Sequence, residues 1–229
     1  MIDIVFVIPE ITKGMKSFGP KSLIHIKNIS VIEHQLMQIR SHFRNNHIYL
    51  LTGFESDKIK KVVSSSRYVT KKKHIHILEN KSYESHNQTS SIHQYAQQYQ
   101  SNHGAMFINN GILTKYNFSK IINKNKNHLF FVGGQKANFN IGSSQLDSIE
   151  YLFYDLPNLW SECVYLTNQS IHYIKELNID NIKSIFFFEL INQLIDKQFE
   201  FDSATIPKTQ ILKIINIKDT SKVKNFINA

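Results

Sequence analysis

The sequence predicts an α/β fold: a single domain with a mostly parallel mixed β-sheet flanked by helices. Three observations point there. Residues 2–8 form a nearly continuous apolar run, as expected of a strand buried on both faces. Strand-like and helix-like segments alternate through the first half at intervals that suit crossover connections. The chain has 229 residues, enough for one large α/β domain, and no Pro/Gly/Ser-rich linker or internal repeat divides it.

The elements follow in order. After the first strand comes a Gly- and Lys-bearing loop over residues 9–20, then a short strand at residues 23–26. Ile32, Leu36, Ile39 and Phe43 are spaced by four, three and four, which places them on one face of a helix over residues 30–43. Ser30 stands at the N-cap of that helix, and Glu33 three residues later completes a capping box. Strands are expected at residues 47–51, 74–78 and 104–108, with helices at 57–63 and 90–99 between them. The second half is less regular. Residues 130–134, 150–154 and 162–166 read as strands, and 171–177, 187–197 and 223–227 as helices.

Composition narrows the function classes. Hydrophobic residues make up 41% and charged residues 20%, which is globular rather than disordered. The seven-residue run at the start is too short to span a bilayer and lacks the basic start of a signal peptide, so the expectation is a cytoplasmic protein with no membrane partner. Cys163 has no second cysteine to pair with. The formal net charge of +9 favours anionic partners such as nucleotides and phosphosugars. A nucleic-acid partner is not expected, because no recognised binding motif accompanies the charge.

The loop after the first strand draws attention, since α/β folds place ligands at the carboxyl edge of the sheet. Gly14 lets backbone amides approach a phosphate closely, and Lys13, Lys16 and Lys21 could clamp one. Taken alone, that loop reads more readily as a solvated basic turn than as a phosphate clamp.

A longer stretch carries a resemblance. Pro20-Lys21-Ser22-Leu23 is followed by Val31-Ile32-Glu33-His34-Gln35-Leu36 and then by Tyr49-Leu50-Leu51-Thr52-Gly53-Phe54. Asn80-Lys81-Ser82-Tyr83 precedes Asn87-Gln88-Thr89-Ser90-Ser91-Ile92. This pattern resembles the sugar-phosphate nucleotidyltransferase family, nearest to phosphocholine cytidylyltransferase-like members. The resemblance implies a Rossmann-like, nucleotide-diphospho-sugar transferase fold, with residues 1–115 as a nucleotide-binding half and 116–229 as an acceptor-side half. It implies transfer of a nucleotidyl group from a nucleoside triphosphate to a sugar- or choline-type phosphate, with release of pyrophosphate. Thr12, Gly14, Lys16, Lys21, Asn87 and Ser91 would then bind the nucleotide, and Lys16 and Lys21 would serve catalysis. A working enzyme of this kind would use Mg2+.

The sequence departs from the family pattern where the metal should sit. The family's Asn-Gly-Asp strand end corresponds to Phe107-Ile108-Asn109-Asn110-Gly111, so the acid position falls on Gly111, or on Asn110 with a register shifted by one. The second acid position meets Ile215-Asn216-Ile217. Asp219 and Glu162 are the nearby acids that could substitute. Three readings therefore stand side by side: a nucleotidyltransferase, a catalytically inactive structural or assembly protein (a viral one included) that associates with other chains, and a nucleotide- or phosphosugar-binding protein without turnover.

Other clusters read more plainly. His74 and His76 share a strand face as metal ligands could, yet a solvated strand face explains them without a metal. Cys163 lies in a packed strand rather than a nucleophile's setting. Phe186-Phe187-Phe188 is expected in a helix core, and Lys71-Lys72-Lys73 in a solvated turn.

Overall fold

A computed structural model describes residues 2–8, 19–84, 88–99, 102–215 and 217–228. The first strand, β1 (Asp3–Ile8), is buried along its whole length. Its alternating side chains feed two cores, one on each face of the sheet. Ile4, Phe6 and Ile8 enter the first core, and Val5 and Val7 the second. Two short strands, β2 (His25–Ile26) and β3 (Ile29–Ser30), form a small hairpin after the loop. The expected strand at residues 23–26 is shorter than the sequence implied, because residues 21–23 wind into a 3-10 turn behind Pro20.

Helix α1 (Val31–His42) begins where the sequence placed it. The Ser30 hydroxyl accepts from the Glu33 N–H, and the Glu33 carboxylate accepts from the Ser30 N–H at 2.7 Å. Ile32, Leu36, Ile39 and Phe43 all enter the first core. Burying each such side chain contributes roughly 1.5–3 kcal/mol. Then come β4 (Ile48–Thr52), α2 (Ser56–Ser65), β5 (Ile75–Glu79), α3 (Gln88–Gln98) and β6 (Ala105–Asn109). The first half thus follows the sequence expectation closely.

The rest of the chain is built from β7 (Ile112–Thr114), β8 (Asn127–Val132), β9 (Ile141–Ser143), β10 (Phe153–Tyr154) and β11 (Asn158–Leu166), then α4 (Asn168–Glu176), α5 (Ile179–Ile182) and α6 (Phe187–Asp196). It ends with β12 (Phe201–Ile206), β13 (Ile211–Lys213) and α7 (Thr220–Asn228). A nine-stranded sheet carries the domain, and its central order is β12-β8-β11-β6-β1-β4-β5. β12, β8, β6, β1, β4 and β5 run in one direction, and β11 runs against them. Helices α1 and α2 cover one face, while α3, α4 and α6 cover the other.

Several second-half elements were not anticipated. Strand β12 reads Phe-Asp-Ser-Ala-Thr-Ile, too polar to signal a strand, and it is only partly buried because it lies at the sheet edge. The expected strand at 150–154 shrinks to the two exposed residues of β10. The aromatic run is divided: Phe187 and Phe188 are buried, but Phe186 stands before the first helical residue and is 56% exposed. Cys163 is fully buried in β11, as its packed neighbours implied, and burial pushes its thiol up to about 12.

Candidate functional site at the carboxyl edge of β1 and β6

From β1 the chain steps outward to β4 and β5, then crosses back to place β6 on the other side of β1. The order of strands reverses between β1 and β6. A crevice outside the carboxyl ends of strands at such a point is where α/β sheets bind ligands. β1 ends at Ile8 on this edge. Thr12, Gly14 and Lys16 lie outside the described residues, as do Asn87 and Asn216.

Asn109, the last residue of β6, organises the crevice. Its side-chain amide donates to Glu162 Oε2 at 2.7 Å. Its carbonyl oxygen accepts from Gln88 Nε2 at 2.9 Å and from the Asn110 N–H at 2.8 Å. The other Glu162 oxygen takes the Lys213 ammonium in an ion pair that is largely screened from solvent on the Glu162 side. Gln88 on α3, Asn109 on β6, Glu162 on β11 and Lys213 on β13 are therefore one connected chain of polar groups.

Backbone geometry explains why Glu162 reaches this place. The β11 ladder shifts register between Trp160 and Val164, and Glu162 has a φ of +60° within that bulge. The kink is pinned from both sides. Trp160 Nε1 donates to the Cys163 carbonyl at 3.1 Å, and the Ser161 hydroxyl accepts from the Cys163 N–H at 3.3 Å. A left-handed backbone at a non-glycine residue costs on the order of 1 kcal/mol. Bulges of this kind re-aim side chains beside functional sites.

The following turn is different in character. Gly111 has a φ of +78°, and a Cβ built there would lie 3.0 Å from the Ile214 carbonyl oxygen and 3.0 Å from Lys21 Cδ. The Ile214 N–H donates to the Gly111 carbonyl at 2.9 Å, which fastens the turn to the end of β13. The Lys21 stem thus lies across Gly111, the position where the resemblance calls for an acid. Asn110 is half-buried, and its side-chain oxygen has no hydrogen-bond partner among the described residues. Below the turn, Gln35 of α1 donates to the Ile112 carbonyl at 2.8 Å and holds β7 in place.

The remaining candidates are placed as follows. Ser91 is buried in α3, and its hydroxyl accepts from Asn80 Nδ2 at 3.0 Å. Asn80 also donates to the Ser90 hydroxyl and accepts from the Ser82 N–H, so it ties the loop after β5 to the start of α3. Asp219 is buried at the turn before α7, where it accepts from the Ile215 N–H at 2.9 Å and meets Lys222 at 2.8 Å. Of the two acids that could substitute, Glu162 joins the Asn109 cluster and Asp219 serves the turn. A cavity of about 210 Å³ opens beside Lys213, walled chiefly by Ile112, Leu159, Trp160, Ile211 and Ile215.

His74 and His76 do not form a solvated strand face. His76 is half-buried, and its Nε2 lies 2.8 Å from His47 Nδ1, so one ring donates and the other accepts. Burial, then the neighbouring His47, holds the His76 imidazole below its ordinary pKa. These rings sit at the starts of β4 and β5, at the opposite edge from the crevice.

Magnesium prefers hard oxygen ligands, normally one or two carboxylates with phosphates and water. The crevice offers amides at Asn109 and Asn110 and no side chain at Gly111. Both oxygens of Glu162 are already engaged. Among the described residues no cluster of three His, Cys, Asp or Glu side chains could hold a metal ion. Among the described residues, the donors at this edge do not fit a magnesium site.

Sequence reasoning did not select Asn109, Gln88 or Lys213. Asn109 lay in the strand-end motif beside the position being sought. Lys213 has no local signal, because its role depends on β13 pairing with β7, which sets Lys213 opposite Ile112.

No family model matches the sequence, and no curated protein sequence matches it. Solved structures do. HddC from Yersinia pseudotuberculosis superposes with a TM-score of 0.74 at 13% identity, covering 99% of this chain and 100% of that one. The inositol-1-phosphate CTP transferase from T. maritima gives a TM-score of 0.77 at 12% identity, covering 100% of this chain and 95% of that one. The CTP:phosphocholine cytidylyltransferase LicC from Streptococcus pneumoniae gives 0.72 at 11% identity over 99% and 98% of the two chains. The chain has the fold of the sugar-phosphate nucleotidyltransferases, as its motifs implied. Within that class its likeness extends to cytidylyltransferases and to sugar-phosphate pyrophosphorylases alike.

Proposed function

We propose that this chain binds a nucleoside triphosphate or a nucleotide-sugar at the carboxyl edge of β1 and β6. The observation that carries the reading is the meeting of Lys21, Asn109, Glu162 and Lys213 around the Gly111 turn. In this reading backbone amides near Thr12 and Gly14, with Lys16 and Lys21, take the phosphates. The base lies toward residues 87–91, next to Ser91. Residues 1–115 then form the nucleotide half, and 116–229 supply the acceptor side through the cavity next to Lys213. HddC has been solved with GMP-PN, and a UDP-glucose pyrophosphorylase with UDP-glucose, so this class of ligand suits the fold.

The reaction this layout suits is attack of an acceptor phosphate on the α-phosphorus, with pyrophosphate leaving. Such chemistry relies on positioning and charge neutralisation. With no carboxylate in either position where the resemblance calls for an acid, this reading favours binding over fast transfer. The test is a thermal-shift and calorimetric screen against ATP, CTP, GTP, UTP and UDP-glucose, each with magnesium and with EDTA. A rise in melting temperature of several degrees for one ligand, lost in Lys21→Ala, is expected. No shift with any ligand under either condition would overturn the reading.

A second reading, an assembly protein without turnover, is favoured by a separate surface. Phe153, Tyr154 and Phe186 are 54%, 44% and 56% exposed, and Tyr154 and Phe186 flank Phe188. Exposed aromatic groups of this kind suit protein contacts. Sedimentation of the parent chain against Phe153→Ser/Phe186→Ser would detect self-association through it.

A further inference from the structure

We infer that the cavity beside Lys213 selects an acceptor with a compact apolar body, a ring or branched chain of about six to eight carbon atoms, over one with a polyhydroxylated ring. The inference rests on the nucleotide-binding reading above in calling the occupant an acceptor; the selectivity itself follows from the cavity walls. Those walls come from four strands: Ile112 on β7, Val132 on β8, Leu159 and Trp160 on β11, and Ile211 on β13. Ile112 and Ile211 belong to the first core and Trp160 to the second, so packing fixes the walls before any ligand arrives. Trp160 is held further. Its one polar atom, Nε1, donates to the Cys163 carbonyl at 3.1 Å, and its ring meets Phe187 edge-on at a centroid distance of 5.7 Å. What Trp160 offers the cavity is carbon.

The polar groups of the lining are largely spent on the protein itself. Lys213 is held by Glu162. The Ser161 hydroxyl accepts from the Cys163 N–H, and Gln135 and Asn140 donate their side-chain N–H groups to the Gly134 and Asn138 carbonyls at 3.0 and 2.7 Å. A sugar hydroxyl taken inside would exchange water for walls that are mainly hydrocarbon, and a polar group buried without a partner is costly. An alkyl body carries no such cost and gains by leaving water. Size agrees with this class of ligand. An apolar cavity of about 150 Å³ is enough for a benzene ring, and this one has about 210 Å³. The acceptor's phosphate does not depend on the Glu162–Lys213 pair, because Lys208 also lines the cavity, exposed and in no ion pair among the described residues.

Trp160 is the chain's single tryptophan, so its fluorescence reports on the cavity directly. The test titrates the full chain, without nucleotide, with cyclohexyl phosphate and with glucose 1-phosphate, followed by that fluorescence and by calorimetry. Cyclohexyl phosphate is expected to change the Trp160 emission and to bind with a Kd at least about tenfold below that of glucose 1-phosphate. Leu159→Asn should weaken cyclohexyl phosphate by about fivefold or more and leave glucose 1-phosphate no weaker. If Leu159→Asn folds poorly by circular dichroism, Ile215→Ser alters the wall at a residue that is 57% exposed. It should weaken cyclohexyl phosphate by about threefold. Glucose 1-phosphate binding as tightly as cyclohexyl phosphate would overturn the inference, as would no binding of either, and the nucleotide screen above would still decide the nucleotide reading. Cyclohexyl phosphate binding that is indifferent to both variants and leaves Trp160 emission unchanged would place the ligand elsewhere and overturn it too. Preference for cyclohexyl phosphate in a chain that binds no nucleotide would uphold the cavity's selectivity and overturn the acceptor role.

Discussion

The end of β6 and the bulge of β11 face each other across one ladder, with Cys163 opposite Ile108. They carry opposite chemistry. β6 ends at Asn109 and runs into Asn110 and Gly111, where the sequence resemblance calls for an acid. β11 keeps a carboxylate, Glu162, in a strained backbone that aims it at Asn109. One end carries no charge and makes a tight turn. The other spends backbone strain to hold a charge whose oxygens are both taken. Backbone strain of this kind persists only where the surrounding contacts over-determine it. The difference teaches that this crevice is organised around an internal ion pair on the β11 side and an uncharged tight turn on the β6 side.

The strongest way to break this comparison is to put the acid back. Gly111→Asp places a Cβ at a φ of +78° and 3.0 Å from a carbonyl oxygen. The expected loss is about 2–4 kcal/mol, or a fall in melting temperature on the order of 5–12 °C, with no gain in magnesium binding. A variant as stable as the parent chain that binds magnesium would show that the turn tolerates an acid, and the contrast between the two strand ends would dissolve.

The β11 end can be tested separately. Glu162→Ala leaves Lys213 and Asn109 without their partner and should cost about 1–2 kcal/mol in chemical denaturation. Glu162→Gly makes the same deletion but relaxes the left-handed backbone, so it should be the milder variant by roughly 0.5–1 kcal/mol. Equal stability of the two would show that the bulge is unstrained, and the argument from strain would fail.

Acid sensitivity sharpens the comparison further. His34 on α1, His128 on β8 and His76 on β5 all have imidazoles held below their ordinary pKa, mainly by burial. Between the folded and unfolded values the unfolded chain binds more protons, so stability is lost as pH falls below the ordinary imidazole value of about 6.5. A decline in melting temperature of several degrees from pH 7 to 5 is expected. It should be parallel in Asn109→Ala, because these histidines stand apart from the Asn109–Glu162 contact. A steeper decline in the parent chain than in Asn109→Ala would assign acid sensitivity to the crevice instead.

Much of the first half was legible because its signals are local. Ser30 and Glu33 mark a helix start within three residues, and Ile32, Leu36, Ile39 and Phe43 mark its buried face. The crevice was only half legible. Lys21 and the loss of the acid at Gly111 could be read from motifs, but the reason for the glycine lies in a left-handed turn pressed against Ile214, about a hundred residues away in sequence. Lys213 could not be found at all by spacing, since its meeting with Glu162 depends on two short strands and a bulge. Non-local pairing of this kind leaves no periodic trace.

The smallest expected effect separates the two neighbouring amides. Asn109 makes side-chain bonds to Glu162, Gln88 and the Asn110 N–H, whereas the Asn110 side-chain oxygen is buried without a partner among the described residues. A buried acceptor left unpaired is a liability, so truncating it removes an unfavourable desolvation along with its packing. Asn110→Ala should therefore change stability by less than about 0.5 kcal/mol, while Asn109→Ala should cost roughly 1–3 kcal/mol. The same pair read by nucleotide calorimetry extends the test. If phosphate or its bound water meets the Asn110 oxygen's neighbourhood, Asn110→Ala will alter affinity without altering stability. A large loss of stability from Asn110→Ala would mean that its amide is satisfied after all, and that the two residues share one network rather than dividing the strand end between structure and ligand.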